Sequence, residues 1–189
     1  MCNDWPSSRD YLIVNEPLSN QIERRFHELL ATYGPALRRL SRAYLPDRAD
    51  QQDLFQEIAL AVWQGLPDYR GDASERTWVY RVAQNVALSF TARRRRRHAR
   101  EEPLEDASVG PGFDTDERRV LYDLIRGLPV IDRQIVLLYL EGLTGPEMAE
   151  VTGFTATNIG VRLTRVRHDD GTRAEPRLEA DPREAPIVP

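Results

Sequence analysis

The sequence contains no lysine, so all 26 of its basic side chains are arginines. Arginine forks suit phosphate and base recognition, although GC-rich codon usage produces the same composition. Cysteine occurs once, as Cys2, which excludes an internal disulfide and a zinc site built from thiolates. No apolar run approaches the roughly 18–20 residues that span a bilayer, and no signal-peptide pattern opens the chain. We therefore expect a cytoplasmic protein without membrane insertion.

The sequence also has few residues in patterns typical of catalytic sites. The three histidines, His27, His98 and His168, are scattered, and the last two lie in arginine-rich stretches. The sequence has no glycine-rich phosphate loop, no paired-carboxylate motif and no serine–histidine–aspartate spacing typical of a hydrolase. We expect neither a cofactor nor a metal ion, and we interpret the chain as a binding protein rather than an enzyme.

Charge is present in blocks rather than evenly spread. Residues 76–100 carry eight arginines and no acidic residue, whereas residues 101–123 carry eight acidic residues and two arginines. The overall net charge of −4 hides this division. Such blocks indicate separate surfaces for separate partners, and the basic block is typical of a nucleic-acid contact.

Hydrophobic spacing predicts helices from residue 18 onwards, and no strand-like alternation recurs. Gly34-Pro35 predicts a break between the first two helices. A third helix is expected from near Asp50 to Gly65, and its acidic beginning has two interpretations. The carboxylates stabilise a helix N-terminus, or they form a docking surface for a basic partner.

A long amphipathic helix is predicted after a loop at residues 65–75. Apolar residues repeat every fourth position from Trp78 to Phe90, and the helix then runs into five consecutive arginines at residues 93–97. Aromatic, amide and arginine side chains on one helix suit DNA whose bases are exposed. The alternatives are a solvated tail for the arginine run and a core position for Trp78.

Acidic residues, prolines and glycines dominate residues 101–116, which predicts a flexible acidic linker. Helical spacing resumes near Val120 and is interrupted at Gly127-Leu128-Pro129. The predicted fold is therefore all-α, with two small helical domains. Their expected bounds are residues 18–100 and 117–168, followed by a tail at residues 169–189 without structure of its own.

The sharpest local signal is a predicted helix-turn-helix at residues 144–167. Thr144 and Glu147 have the spacing of a capping box, and Gly153 fits the left-handed residue that ends a helix. The next helix begins with polar residues and carries arginines along its body, as a recognition helix does. Its candidate base and phosphate contacts are Thr155, Thr157, Asn158, Arg162 and Arg165. A helical hairpin with a solvated arginine face is the alternative.

These motifs together resemble the sigma-70 superfamily of RNA polymerase sigma factors. The run Asp50-Gln51-Gln52-Asp53-Leu54-Phe55-Gln56-Glu57, followed by Trp63, is similar to the second conserved region. The stretch from Tyr69 to Leu88, with the arginine run after it, resembles the segment of that region that melts promoters and reads the −10 element. Residues 128–163 resemble the fourth region, including its −35-reading helix-turn-helix. A chain with only these two regions resembles the extracytoplasmic-function type.

The resemblance implies sets of site residues and their partners. Core RNA polymerase would contact Asp50, Asp53, Leu54, Gln56, Glu57 and Trp63. The −10 element would be bound by Tyr69, Arg70, Arg76, Thr77, Trp78, Arg81, Asn85, Arg93 and Arg94, and the loop before the long helix would capture a flipped base. The helix-turn-helix contacts named above would read the −35 element. The expected partners are core polymerase, promoter DNA and an anti-sigma factor.

The chain departs from the family pattern at its end. Family members usually continue the last helix with basic and apolar residues, but here a proline-rich acidic tail begins at Asp169. Two alternatives to a sigma factor remain open on the sequence alone. One is a stand-alone helix-turn-helix regulator, and the other is a decoy that titrates polymerase or an anti-sigma factor. The acidic helix at residues 50–63 favours the sigma factor, because a plain regulator has no need of it.

Overall fold

The computed structural model describes residues 18–98 and 116–169, and every regular element in those ranges is a helix. The elements are α1 (Leu18–Tyr44), α2 (Arg48–Gly65), a short 3-10 turn (Leu66–Asp68), α3 (Glu75–His98), α4 (Asp116–Gly127), α5 (Val130–Leu140), α6 (Gly145–Thr152) and α7 (Ala156–Asp169). The prediction of an all-α fold is confirmed. Apart from the first residue of α4 and the last of α7, the predicted linker and tail lie outside the described residues. None of the helices in the described ranges is long and apolar enough to cross a membrane.

The first three helices pack around one apolar core. Leu37 of α1, Leu54 and Ile58 of α2 and Val79 of α3 are each at most 1% exposed. Burial of aliphatic side chains of this kind contributes roughly 1.5–3 kcal/mol each. These contacts hold α1, α2 and α3 together as one bundle.

A buried hydrogen bond also joins α1 to α3 within this core. The hydroxyl of Tyr44 in α1 donates to the side-chain oxygen of Gln84 in α3 at 2.6 Å, and both side chains are buried. Burial raises the pKa of Tyr44, so the hydroxyl stays protonated and remains a donor. The bond fixes α1 and α3 in one register, because a buried donor that loses its partner is costly.

The predicted break at Gly34-Pro35 is wrong. Helix α1 continues through Pro35 without interruption. Proline removes one backbone N–H bond and crowds the preceding turn. The helix tolerates this loss because Leu29 lies in the core on one side of the proline and Leu37 and Leu40 lie in it on the other. Tertiary packing on both sides overrides the local signal.

The second bundle contains α5, α6 and α7, and its core extends into the first bundle. Ile135, Leu138, Met148 and Ile159 are buried in the same cluster as Tyr80 of α3. Ala36 of α1 belongs to this cluster as well. The two halves of the chain therefore pack against each other.

The turn before α6 is built as predicted. The Thr144 hydroxyl accepts from the backbone N–H of Glu147, and the Glu147 carboxylate accepts from the backbone N–H of Thr144 at 2.7 Å. Gly153 ends the helix with φ of 76°. The hydrogen bond from the Thr144 backbone, followed by the bond from its hydroxyl, lowers the pKa of Glu147. The capping box and the glycine together fix the angle at which α7 leaves α6.

Replacing Thr144 with alanine should lower the free energy of unfolding of the second bundle by about 1 kcal/mol, because one N-cap acceptor is lost. The variant also loses the hydrogen bond that the Thr144 hydroxyl donates to the Glu147 carboxylate. The contribution of this bond to the free energy of unfolding is present above the ordinary carboxyl pKa and is lost as the pH falls through the lowered pKa of Glu147. The stability difference between variant and wild type should therefore narrow in acid. Hydrogen exchange of peptides covering α6 and α7, measured over a pH series, reports this difference.

Thr164→Ala is the matched control. Among the described residues, its hydroxyl bonds only to the carbonyl of Gly160 within α7, at 2.9 Å, so the exchange rates should change little. Equal effects of the two alanine variants would contradict the capping role of Thr144.

Candidate polymerase and promoter interface

The acidic face of α2 is exposed at its centre. Asp47 caps the helix by accepting from the backbone N–H groups of Ala49 and Asp50. Asp53 and Gln56 are exposed one and two turns further on. Carboxylates at a helix N-terminus stabilise the helix, but those of the second turn add little, so they remain available to a partner.

Leu54 does not belong to that surface. Its side chain has no exposed area and packs in the core of the first bundle. Its spacing of four residues from Ile58 places it on the inner face of α2. The expectation that Leu54 contacts core polymerase is corrected, because a fully buried side chain cannot touch a partner.

Two pairs of oppositely charged residues join α2 to the end of α3. Arg93 pairs with Glu57, and Arg94 pairs with Asp50. The four side chains border a groove of about 550 Å³ that is also lined by Leu60. The sequence suggested separate partners for the acidic helix and the arginine run. In the folded chain they neutralise each other, because α2 and α3 run antiparallel and bring the start of one to the end of the other.

Two aromatic rings lie beside each other where the loop meets α3. The Tyr69 and Trp78 ring centroids are 5.0 Å apart, and the Tyr69 hydroxyl donates to the carbonyl of Ala73 at 2.7 Å. The indole also packs on Gly65, where an added Cβ would lie 3.2 Å from the ring. Trp78 is half-buried, so it both packs on the core and keeps part of its surface accessible.

Trp63 of α2 is 37% exposed, and its ring meets the ring of Phe26 edge-on.

The remaining predicted −10 contacts divide between surface and core. Arg70 and Asn85 are exposed. Thr77 is 1% exposed, and its hydroxyl bonds to that of Ser74 at 2.8 Å, which caps α3. The expectation that Thr77 binds DNA is corrected, because its hydroxyl is consumed by the helix cap.

Glu141, at the end of α5, joins the two bundles. Arg39 of α1 donates twice to its carboxylate, at 2.8 and 2.7 Å, and Tyr80 of α3 donates to the same group at 3.2 Å. Arg76 donates to the Glu141 backbone carbonyl. The hydrogen bonds that Arg39 donates to Glu141 raise the pKa of Arg39, while burial and then the nearby Glu141 charge raise the pKa of Tyr80. Arg39 and Tyr80 therefore stay protonated.

A second contact lies on the same side of α3. Arg81 pairs with Glu150 of α6 at 3.2 Å. Two predicted −10 contacts, Arg76 and Arg81, thus face the helix-turn-helix bundle. No sequence signal marked Glu141 or Glu150 as their partners, since the contacts link residues 65 and 69 positions apart.

The recognition helix α7 carries the predicted −35 contacts in two groups. The hydroxyl of Thr155 accepts from the backbone N–H of Asn158 and so caps the helix. Thr157 and Arg165 are exposed on the outer side of α7. Arg162 is half-buried and is held by Asp132 of α5 at 2.8 Å. Asp132 is a further residue that the sequence did not single out.

Comparison with known proteins agrees with this geometry. A model of sigma-70 region 2 matches residues 29–97, and a model of sigma-70 region 4 matches residues 118–168. The RNA polymerase sigma factor NccH of Alcaligenes xylosoxydans xylosoxydans is 26% identical over 153 residues, which cover 75% of this chain and 82% of that protein. The ECF RNA polymerase sigma-E factor of Haemophilus influenzae is 28% identical over 170 residues, which cover 82% and 89%.

Solved structures support the fold. CnrH in complex with the cytosolic domain of CnrY matches with a TM-score of 0.58 and 23% identity, over 77% of this chain and 84% of that one. The sigma factor RpoE of Bartonella quintana, in complex with the anti-sigma factor NepR, matches with a TM-score of 0.65 and 18% identity, over 77% and 93%.

The two region models take in both bundles in the family's order, and the chain belongs to the sigma-70 family of RNA polymerase sigma factors, with the two-region plan of the extracytoplasmic-function type. The resemblance read from the sequence is thereby confirmed. A protein of this family directs RNA polymerase to promoters, so core polymerase and promoter DNA are its partners.

Replacing Glu141 with alanine should loosen the packing between the bundles, because charge-assisted hydrogen bonds of this kind contribute roughly 1.5–3 kcal/mol. The radius of gyration of the full chain, measured by small-angle X-ray scattering, should increase. Glu23→Ala removes an exposed carboxylate within α1 and should leave the radius unchanged. An unchanged radius in Glu141→Ala would mean that this carboxylate does not hold the bundles together.

Proposed function

We propose that the chain divides promoter recognition between its two halves. Residues 18–100 bind core polymerase and the −10 element, and residues 117–168 read the −35 element. Residues 101–116 link these two halves, and residues 169–189 form a separate tail. The observation that carries this proposal is the pairing of an acidic helix, α2, with an arginine-bearing helix, α3, in one bundle. The protein works in the cytoplasm and contributes binding energy rather than covalent chemistry.

Docking to polymerase uses the outer face of α2. Asp53 and Gln56 are exposed there, and Leu60 and Trp63 add apolar surface that is 54% and 37% exposed. A basic partner surface would replace the internal arginine contacts of Asp50 and Glu57. The Glu57–Arg93 pair is exposed, whereas the Asp50–Arg94 pair is partly buried. An exposed ion pair is worth only about 0–1 kcal/mol, so the exchange at Glu57 costs little.

Reading of the −10 element uses the region where the loop meets α3. An unstacked base needs a compensating contact, because extrusion from the duplex costs a few kcal/mol. Stacking on an aromatic side chain returns roughly 1–3 kcal/mol per base. The Tyr69–Trp78 pair offers such a platform, and the exposed Arg70 and Asn85 supply contacts to phosphate and base. The arginines at the end of α3 continue the path of the DNA backbone.

The packing of the two bundles must change when DNA binds. Arg76 and Arg81 cannot face both the promoter and the groups that hold them at Glu141 and Glu150. Phosphate oxygens would take the place of those two acceptors. An anti-sigma factor is a further proposed partner, because one of the structural relatives was solved with such a protein.

Purified chain with core polymerase should give transcripts that start at a defined promoter, and core alone should not. If the chain binds core but never initiates, the decoy interpretation gains. If it binds promoter DNA tightly alone and gives no specific transcript with core, it is a stand-alone regulator and the proposal is wrong.

Asp53→Arg combined with Glu57→Arg should reduce the affinity for core polymerase at least tenfold, because the docking face changes sign. Asp68→Arg combined with Asp72→Arg is a control of equal charge change at exposed sites outside that face. Affinity is measured without DNA, and circular dichroism checks that both variants fold. If both variants keep the same affinity for core polymerase, α2 is not part of the docking site.

A further inference from the structure

One face of α7 points away from the rest of the protein. Thr157, Gly160, Val161, Thr164 and Arg165 are three or four positions apart and therefore share one side of the helix. All five are exposed, whereas Ile159 on the opposite side is 1% exposed. Helix α7 packs on α5 and α6 through that opposite side. The exposed side is the one that a DNA groove can reach.

Two of the predicted base readers lie to the side of this face and bind each other. The Arg162 Nε donates to the Asn158 side-chain oxygen at 2.8 Å, and its Nη1 donates to Asp132 at 2.8 Å. The guanidinium also lies over the ring of Phe154, 5.7 Å from its centroid. A side chain with these contacts positions the helix, and the reading of bases falls to its neighbours.

The centre of the exposed face is apolar. Val161 is 47% exposed. Gly160 beside it has no side chain, and apart from its chain neighbours and the backbone of its own helix, no described atom lies within 4 Å of where a Cβ would be. The Thr164 hydroxyl donates to the Gly160 carbonyl at 2.9 Å, so the helix itself uses that hydrogen. The centre of the face, at Gly160, Val161 and Thr164, therefore offers methyl groups and close backbone approach rather than free donors.

Positive charge surrounds this apolar centre. Arg165 is exposed and makes no ion pair with another residue of the described ranges. Arg167 follows on the same helix and is also exposed, with one donor on the Tyr139 hydroxyl at 2.6 Å. Arginines that border an apolar strip match the major groove, where phosphates line the rims and base edges form the floor.

Among the four bases, thymine alone presents a methyl group in the major groove. Valine neither donates nor accepts a hydrogen bond, so it would leave the polar edges of guanine or cytosine without partners. We infer that Val161 is a specificity-determining residue that reads the methyl group of a thymine in the −35 element, with Gly160 allowing the helix to come close. This inference rests on the proposed function of the second bundle.

The test uses holoenzyme assembled from the full chain and core polymerase. A −35 duplex is first selected from a pool randomised over that element, and each thymine is then replaced singly by deoxyuridine, which removes only the methyl group. At one position the wild type should lose about fourfold in affinity, the effect of one buried methyl group. Val161→Ala should bind the thymine and deoxyuridine duplexes equally, and Val161→Ile should restore the difference.

Arg165→Ala is the matched control on the same face. It should weaken both duplexes alike and reduce the salt dependence, while the thymine preference is kept. If wild type discriminates at no position, or if Val161→Ala discriminates as wild type does, the inference is overturned, and promoter-specific transcription still upholds the proposed function. If the pool yields no selected duplex and transcription is not promoter-specific, both fail.

Discussion

The packing of the two bundles in this sigma factor depends on the hydrogen bonds that Glu141 accepts. The carboxylate accepts from Arg39 and Tyr80, and the Glu141 backbone carbonyl accepts from Arg76, so this one residue at the C-terminal cap of α5 binds both α1 and α3. Its side chain is only 16% exposed. The second bundle is therefore held against the same helix face that is proposed to bind the −10 element.

Acidic groups of the protein contact part of the surface that is proposed to bind DNA. Glu150 pairs with Arg81 and Glu57 pairs with Arg93, while the backbone carbonyl of Glu141 accepts from Arg76. In the proposed promoter complex, phosphate oxygens take the place of these acceptors, and the exchanges at Arg81 and Arg93 each trade one charge-assisted contact for another. The free energy gained from promoter DNA then comes from released counterions and from contacts to bases. This balance suits a subunit that needs polymerase before it binds DNA, since holding both modules on one enzyme makes the second contact intramolecular.

The sequence predicted local features well and tertiary partners poorly. The capping box at Thr144 and the left-handed Gly153 were predictable because each depends on residues within four positions. The break predicted at Pro35 was wrong, because core packing on both sides of the proline stabilises the helix more than the missing hydrogen bond weakens it. Leu54 and Thr77 were assigned to surfaces by resemblance to whole motifs, although their burial follows from which side of a helix they occupy. The partners of Glu141 could not be predicted, since no local pattern links positions so far apart.

The separation of the two bundles on promoter DNA tests the account most directly. Dyes attached at Ser89 of α3 and His168 of α7, both replaced by cysteine in a Cys2→Ser background, report the distance between the bundles by energy transfer. Energy transfer should be efficient in the free chain, and it should be clearly lower in the open complex with core polymerase and promoter. The same transfer efficiency in both states would contradict this prediction, because α3 could not then bind the −10 element while α6 covers it.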